Sequence, residues 1–112
     1  MKFAIVTGAS KGLGEAIAYL LMEANVNVLG ISRTENKKLV ELAEKNDVIY
    51  KHYACDLGHT DDVKKVLSEM GQYIFEHDLS TLFIVNNAAV LDPIAPAFQI
   101  DGTDLAYHVH VN

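Results

Sequence analysis

The chain has 112 residues, half of them hydrophobic and 21% charged, which suits one soluble domain with one core or part of one. A formal charge of -6 excludes a broad basic footprint for nucleic acid or anionic lipid, so any bound anion must be held locally. The single cysteine, Cys55, cannot form an internal disulfide and reads as a small apolar filler at a strand end in a reducing cytoplasm. The apolar start after Met1-Lys2 is too short for a secretory leader, and no stretch approaches a membrane span.

Phe3-Ala4-Ile5-Val6 is a continuous apolar run of the kind a strand buried on both faces requires. It runs into Thr7-Gly8-Ala9-Ser10-Lys11-Gly12-Leu13-Gly14, and from Gly14 the apolar positions Ala16, Ile17, Leu20, Leu21 and Ala24 recur at helical spacing. The glycines therefore occupy a strand-to-helix turn. A helix start offers unpaired N–H groups and a positive dipole end, and residues without Cβ let a pyrophosphate approach the main chain. The spacing Gly8-xxx-Gly12-x-Gly14 is neither G-x-G-x-x-G nor a Walker A loop. Taken alone, it also fits a tight loop selected for turning.

Asn25 is a stop for the first helix, and Val26 to Ile31 reads as a second strand ending at Ser32-Arg33. Residues 35–46 place Leu39, Leu42 and Ala43 on one helical face, with Glu35 at the start of that helix. Val48 to Ala54 makes a third strand, followed by Cys55-Asp56-Leu57-Gly58. Thr60 is the expected cap of a third helix, with Asp61 and Asp62 near its positive end and Val63, Val66, Leu67, Met70 and Ile74 as its buried stripe. A fourth strand, Leu82 to Val85, enters Asn86-Asn87-Ala88-Ala89, and a fourth helix is expected from about Thr103-Asp104 to Asn112. This alternation predicts an α/β, Rossmann-type doubly wound parallel sheet in strand order 3-2-1-4, incomplete at its C-terminal end. Leu82 to Val85 would then be an unpaired apolar edge, through which the isolated chain is expected to associate or fold only marginally.

An acidic residue after the second strand would bind the ribose 2′-OH of NAD, but Ser32-Arg33 stands there. Arg33 can pair with the extra phosphate of NADP, with Lys11 approaching from the glycine loop, or both can be solvated surface charges. Asp56-Leu57 can hold an adenine edge or simply form an Asx turn into Gly58. His108 and His110, two apart on the expected helix, do not face each other, and no metal site is expected.

Together these stretches resemble the short-chain dehydrogenase/reductase family. They are the loop from Val6 to Gly14, Asp56 followed by an aliphatic residue, Asn86-Asn87-Ala88-Ala89 for the family's Asn-Asn-Ala-Gly, and Val111-Asn112. Val6-Thr7-Gly8, Ser10 and Gly12-Leu13-Gly14-Glu15-Ala16-Ile17-Ala18, followed by Ile31-Ser32-Arg33 and Glu35-Asn36-Lys37, look most like the bacterial benzil reductases of that family, which are similar to sepiapterin reductases. The resemblance implies an NADP(H)-dependent carbonyl reductase acting on a small molecule, of which this chain is the cofactor-binding half, and a homo-oligomer when intact. It implies that Gly8, Ser10, Gly12, Leu13 and Gly14 contact the cofactor, that Lys11, Ser32 and Arg33 select NADP, and that Asp56 and Leu57 hold adenine. It also implies that Asn87, Ala88 and Ala89 lie against the ribose, that Asn86 is structural, and that Asn112 is the one catalytic member present. Ala89 adds a methyl where the family has glycine. No tyrosine is followed by lysine four residues later, so the 112 residues alone are expected to be inactive, and a noncatalytic nucleotide-binding module is the alternative.

Overall fold

In the computed structural model, residues 1–9, 12–56 and 58–87 are described, together with the backbone of 106–111. Strand β1 (Lys2–Thr7) leads to α1 (Gly12–Glu23), β2 (Asn27–Ser32), α2 (Lys37–Asn46), β3 (Tyr50–Ala54), α3 (Thr60–Phe75), β4 (Thr81–Asn86) and β5 (Ala106–Val111). The sheet order is β3-β2-β1-β4-β5, and each adjacent pair is parallel.

Strand β1 is central because it is apolar on both faces. Phe3 and Ile5 point into a core with Leu29, Ile31, Ile84 and the α3 residues Val63, Leu67 and Met70. Ala4 and Val6 point the other way, into a core with Val28, Val85, Ala18, Met22 and Leu39 under α1 and α2. Strand alternation thus divides one run between two cores, which places helices on both sides of the sheet.

Two helices end by the same device. Asn25 (φ 63°) and Asp47 (φ 54°) take the left-handed conformation after α1 and α2. The next N–H reaches back in each case, Val26 to the Leu21 carbonyl at 3.0 Å and Val48 to the Ala43 carbonyl at 3.0 Å. These six-to-one bonds satisfy carbonyls that the helix leaves open. At the other end of α2, Asn36 is the N-cap, its Oδ1 accepting from the N–H groups of Lys38 and Leu39 at 2.9 and 3.3 Å. Glu35 therefore lies before the helix rather than in it.

Three expectations are corrected. Thr60 is the first residue of α3, not its cap: His59 holds the cap position and makes no side-chain cap bond. In α1 the buried stripe is Gly14, Ala18 and Met22, flanked by Ile17 and Leu21, whereas Ala16 is exposed and Leu20 is 67% exposed. The expected fourth helix is replaced in part by a strand, with Leu82 opposite Tyr107 and Val85 opposite His110. Tyr107, Val109 and Val111 are strong strand formers at alternate positions, and pairing satisfies the backbone groups along β4. Consequently Leu82 to Val85 is not an edge, and the ground for association through it disappears.

Ile5 is fully buried in the central strand. Ile5→Ala should lower unfolding free energy by about 2–5 kcal/mol, read from urea unfolding at constant slope.

Candidate functional site

The order of strands reverses between β1 and β4, so the cleft beyond their carboxyl ends is where a ligand would sit in such a sheet. Thr7 is level with both Ile31 and Asn86, which brings the ends of β1, β2 and β4 to one height. Gly8 turns the chain there, with φ 69° and its N–H donating to the Ile31 carbonyl at 2.8 Å.

The described glycines of the turn have different jobs. A Cβ on Gly14 would stand 2.0 Å from the Gly8 carbonyl oxygen and 3.0 Å from Asn87 Nδ2, so α1 starts in direct contact with the turn below it. A Cβ on Gly8 would also meet Asn87 Nδ2 at 3.0 Å. Gly12 has φ 63°, but a Cβ there would meet no described residue within 4 Å. Its conformation alone calls for glycine. The Asn87 side chain is thus packed against both Gly8 and Gly14, tying the end of β4 to the cradle. Behind it Asn86 is buried, its Oδ1 accepting from the Thr7 hydroxyl at 3.1 Å, a structural bond between β1 and β4.

The second part of the cleft lies beyond β2 and β3. Ser32 is buried and its hydroxyl donates to the Thr34 carbonyl at 2.9 Å, shaping the loop that presents Arg33. Arg33 is exposed and shares a hollow of about 460 Å³ with Cys55, Asp56, Asp62, Lys65 and Glu69. Asp56 Oδ1 accepts from the Gly58 N–H at 2.9 Å, the Asx turn that its position allows. That bond, assisted by the Arg33 and His59 charges and opposed by some desolvation, holds the Asp56 carboxyl below its usual value of 3.8. Cys55 is buried at the strand end, as expected of a filler, and burial followed by the Asp62 and Asp56 carboxylates pushes its thiol up.

Among the expected site residues, Gly8, Gly12, Gly14 and Asn87 form one cradle, while Ser32, Arg33 and Asp56 stand at the ends of the two neighbouring strands. Leu13, in the first turn of α1, is 55% exposed. Ser10, Lys11, Leu57, Ala88, Ala89 and Asn112 lie outside the described residues. Two residues enter that the sequence reading missed. Asn36 donates through Nδ2 to Glu15 Oε2, clamping α2 to the first turn of α1 beside the cradle. Its place just before the apolar helical pattern is an N-cap signal that was legible. Lys65 adds a second cation to the Arg33 hollow, one turn into α3, and only the fold brings it there.

With this geometry in place, relatives add their own evidence. The sequence model of the short chain dehydrogenase family matches residues 2–112. The chain is 35% identical over 112 residues to a benzil reductase ((S)-benzoin forming) of Bacillus cereus and 30% identical over 115 residues to one of Bacillus subtilis (strain 168). All of this chain is covered in both, but only 45% and 43% of those proteins, so it spans less than half their length. A short-chain dehydrogenase/reductase from Burkholderia vietnamiensis superposes with a TM-score of 0.66 at 31% identity, covering 87% of this chain and 44% of that one. An alcohol dehydrogenase from Thermococcus sibiricus, complexed with 5-hydroxy-NADP, gives a TM-score of 0.64 at 26% identity over 74% of this chain and 36% of its own.

Two outcomes check this geometry. Alanine gains about 1 kcal/mol over glycine inside a helix, yet Gly14→Ala should destabilise by at least about 2 kcal/mol, because the methyl meets a backbone oxygen. Gly12→Ala should lose only about 1–2 kcal/mol through its left-handed backbone. Urea unfolding should rank them in that order. The Asp56 carboxyl should titrate by NMR below 3.8, and Arg33→Ala should move the midpoint up. Since the folded value is the lower one, its stabilisation is present above the unfolded midpoint and is lost as pH falls through the folded one.

Proposed function

The chain belongs to the short chain dehydrogenase family, and from that premise we propose that it is the cofactor-binding half of an NADP-dependent carbonyl reductase. The choice of NADP is carried by Arg33, an exposed guanidinium at the end of β2 where a 2′-hydroxyl reader would be a carboxylate. The cradle fits a dinucleotide. No described residue would meet a Cβ on Gly12 at the first turn of α1, and the N–H groups of that turn have no partners within the helix.

In this reading Gly8, Gly12 and Gly14 keep the main chain bare beneath the pyrophosphate, with Ser10 and Leu13 touching it from the loop. Arg33, Lys11 and Ser32 take the 2′-phosphate, the guanidinium by two parallel N–H bonds. Asp56 has one carboxylate oxygen committed to Gly58, which leaves the other to accept from the adenine amino group, with Leu57 beside it. Asn87, Ala88 and Ala89 support the ribose, and Asn112 holds a water in the proton path. NADPH, when bound, supplies a hydride to a ketone or diketone carbonyl, a substrate class suggested by the benzil reductase relatives. The tyrosine and lysine that would donate the proton are not among these residues, because no Tyr is followed by Lys at the fourth position. The 112 residues would therefore bind the cofactor without turnover. That absence also favours a second reading, a nucleotide-binding module with no reaction of its own.

Titration calorimetry with NADPH and NADH tests the proposal. Arg33→Ala should weaken NADPH binding roughly ten- to hundredfold, the loss of about 1.5–3 kcal/mol expected for charge-assisted hydrogen bonds, and leave NADH almost unchanged. An equal loss for both coenzymes would remove Arg33 from the role assigned to it.

A further inference from the structure

A groove of about 600 Å³ runs between α1 and α2, on the side of the sheet away from α3. Ala16, Tyr19 and Leu20 form one wall, and Leu39 and Leu42 the other. Tyr19 is 49% and Leu20 67% exposed, so two large side chains at adjacent positions meet water on a face whose inner side is already packed. A contiguous apolar surface rimmed by charge is characteristic of an interaction site.

Glu15 and Glu23 are the only charged residues of α1, whereas Lys38, Glu41 and Lys45 stand on the α2 side of the groove. The two helices point the same way, since each returns between parallel strands. They are also in step, because Asn36 at the cap of α2 reaches Glu15 in the first turn of α1. At 1.5 Å per residue, Glu23 lies about 12 Å beyond Glu15 and Lys45 about 10.5 Å beyond Lys38, nearly the same spacing. The acids of one helix and the bases of the other therefore repeat with one period at one height.

We propose that this groove is a self-association surface, filled by α1 of a second copy related by a twofold axis parallel to the helices. That axis sets α1 of each copy over α2 of the other without reversing its direction. Glu15 then faces the partner's Lys38 and Glu23 the partner's Lys45, while Tyr19 and Leu20 enter the partner's groove near Leu42. Glu41, midway along the rim, accepts a hydrogen bond from the Tyr19 hydroxyl of the other copy. Because α1 carries no cation of its own, this parallel arrangement is the one that neutralises both pairs twice over. The surface lies outside the cradle and does not depend on which coenzyme binds there.

Sedimentation velocity on the 112-residue chain from micromolar to near-millimolar concentration tests it. A concentration-dependent dimer that weakens with added salt is expected. Leu20→Glu should shift the midpoint at least tenfold toward monomer, and its exposed position lets circular dichroism verify that the variant remains folded. Lys45→Glu and Glu23→Lys should each weaken the dimer several-fold, and the two changes together should restore it. A chain that stays monomeric throughout, a dimer indifferent to Leu20→Glu, or charge reversals that fail to rescue each other would overturn the proposal. None of those results touches coenzyme binding, which the calorimetry reads separately.

Discussion

The contact of Gly14 with the Gly8 carbonyl is the constraint on which the rest of the site depends. A side chain at residue 14 would stand 2.0 Å from that oxygen, so α1 can begin this close to the end of β1 only with hydrogen there. The closeness fixes two things at once. It brings the open N–H groups of the first helical turn over the sheet at the point where strand order reverses, and it leaves room for Asn87 to lie against both glycines. Moving the helix outward by the thickness of a methyl group would separate the cradle from β4 and from whatever β4 presents to a ligand.

The same economy governs the sheet. Strand β1 has no polar face to turn toward water, so it can be stable only with helices on both sides, and the division of its residues between the two cores enforces that. Where the strands stop, polar residues close them off: Thr7 with Asn86, Ser32 with Thr34, Asp56 with Gly58. Each of these bonds closes a strand end and fixes the direction in which the next residue leaves. The loop residues that could meet a ligand are therefore held by a frame of short-range hydrogen bonds rather than by their own packing.

Much of this was legible in the sequence, for identifiable reasons. The strands β1, β2 and β4 are short apolar runs bounded by turn residues, and the stripe of α3 from Val63 to Ile74 is separated cleanly by charged positions. The stripe of α1 was not, because residues 16–22 are apolar without a break and periodicity has nothing to contrast with. Leu20 and Leu21 are neighbours of similar hydrophobicity, yet only Leu21 is packed against the core. Strand β5 was missed because alternation at Tyr107, Val109 and Val111 competed with the helix start read at Thr103-Asp104. The clamp from Asn36 to Glu15 joins residues 21 apart, and the packing of Asn87 on Gly8 joins residues 79 apart. Such contacts follow from the fold and leave no local pattern to read.

The electrostatics of the cleft explain why one arginine can matter in a chain of formal charge -6. Arg33 does not stand in a basic field: Asp56, Asp62 and Glu69 share its hollow, and Lys65 is the one other cation among the described residues lining it. In water, charges separated by more than about 10 Å are largely screened at ordinary ionic strength, so the overall negative charge hardly reaches the site. What an incoming phosphate meets is set by the groups within the hollow. With three acids and two bases there, the hollow holds no surplus of positive charge, and the Arg33 charge adds to the Gly58 hydrogen bond in holding the Asp56 carboxyl down. In the proposed reading, a doubly charged phosphate gives the guanidinium a far stronger partner than a neutral hydroxyl does. The proposed discrimination then rests on the fork of donors that one guanidinium offers, rather than on a surplus of positive charge.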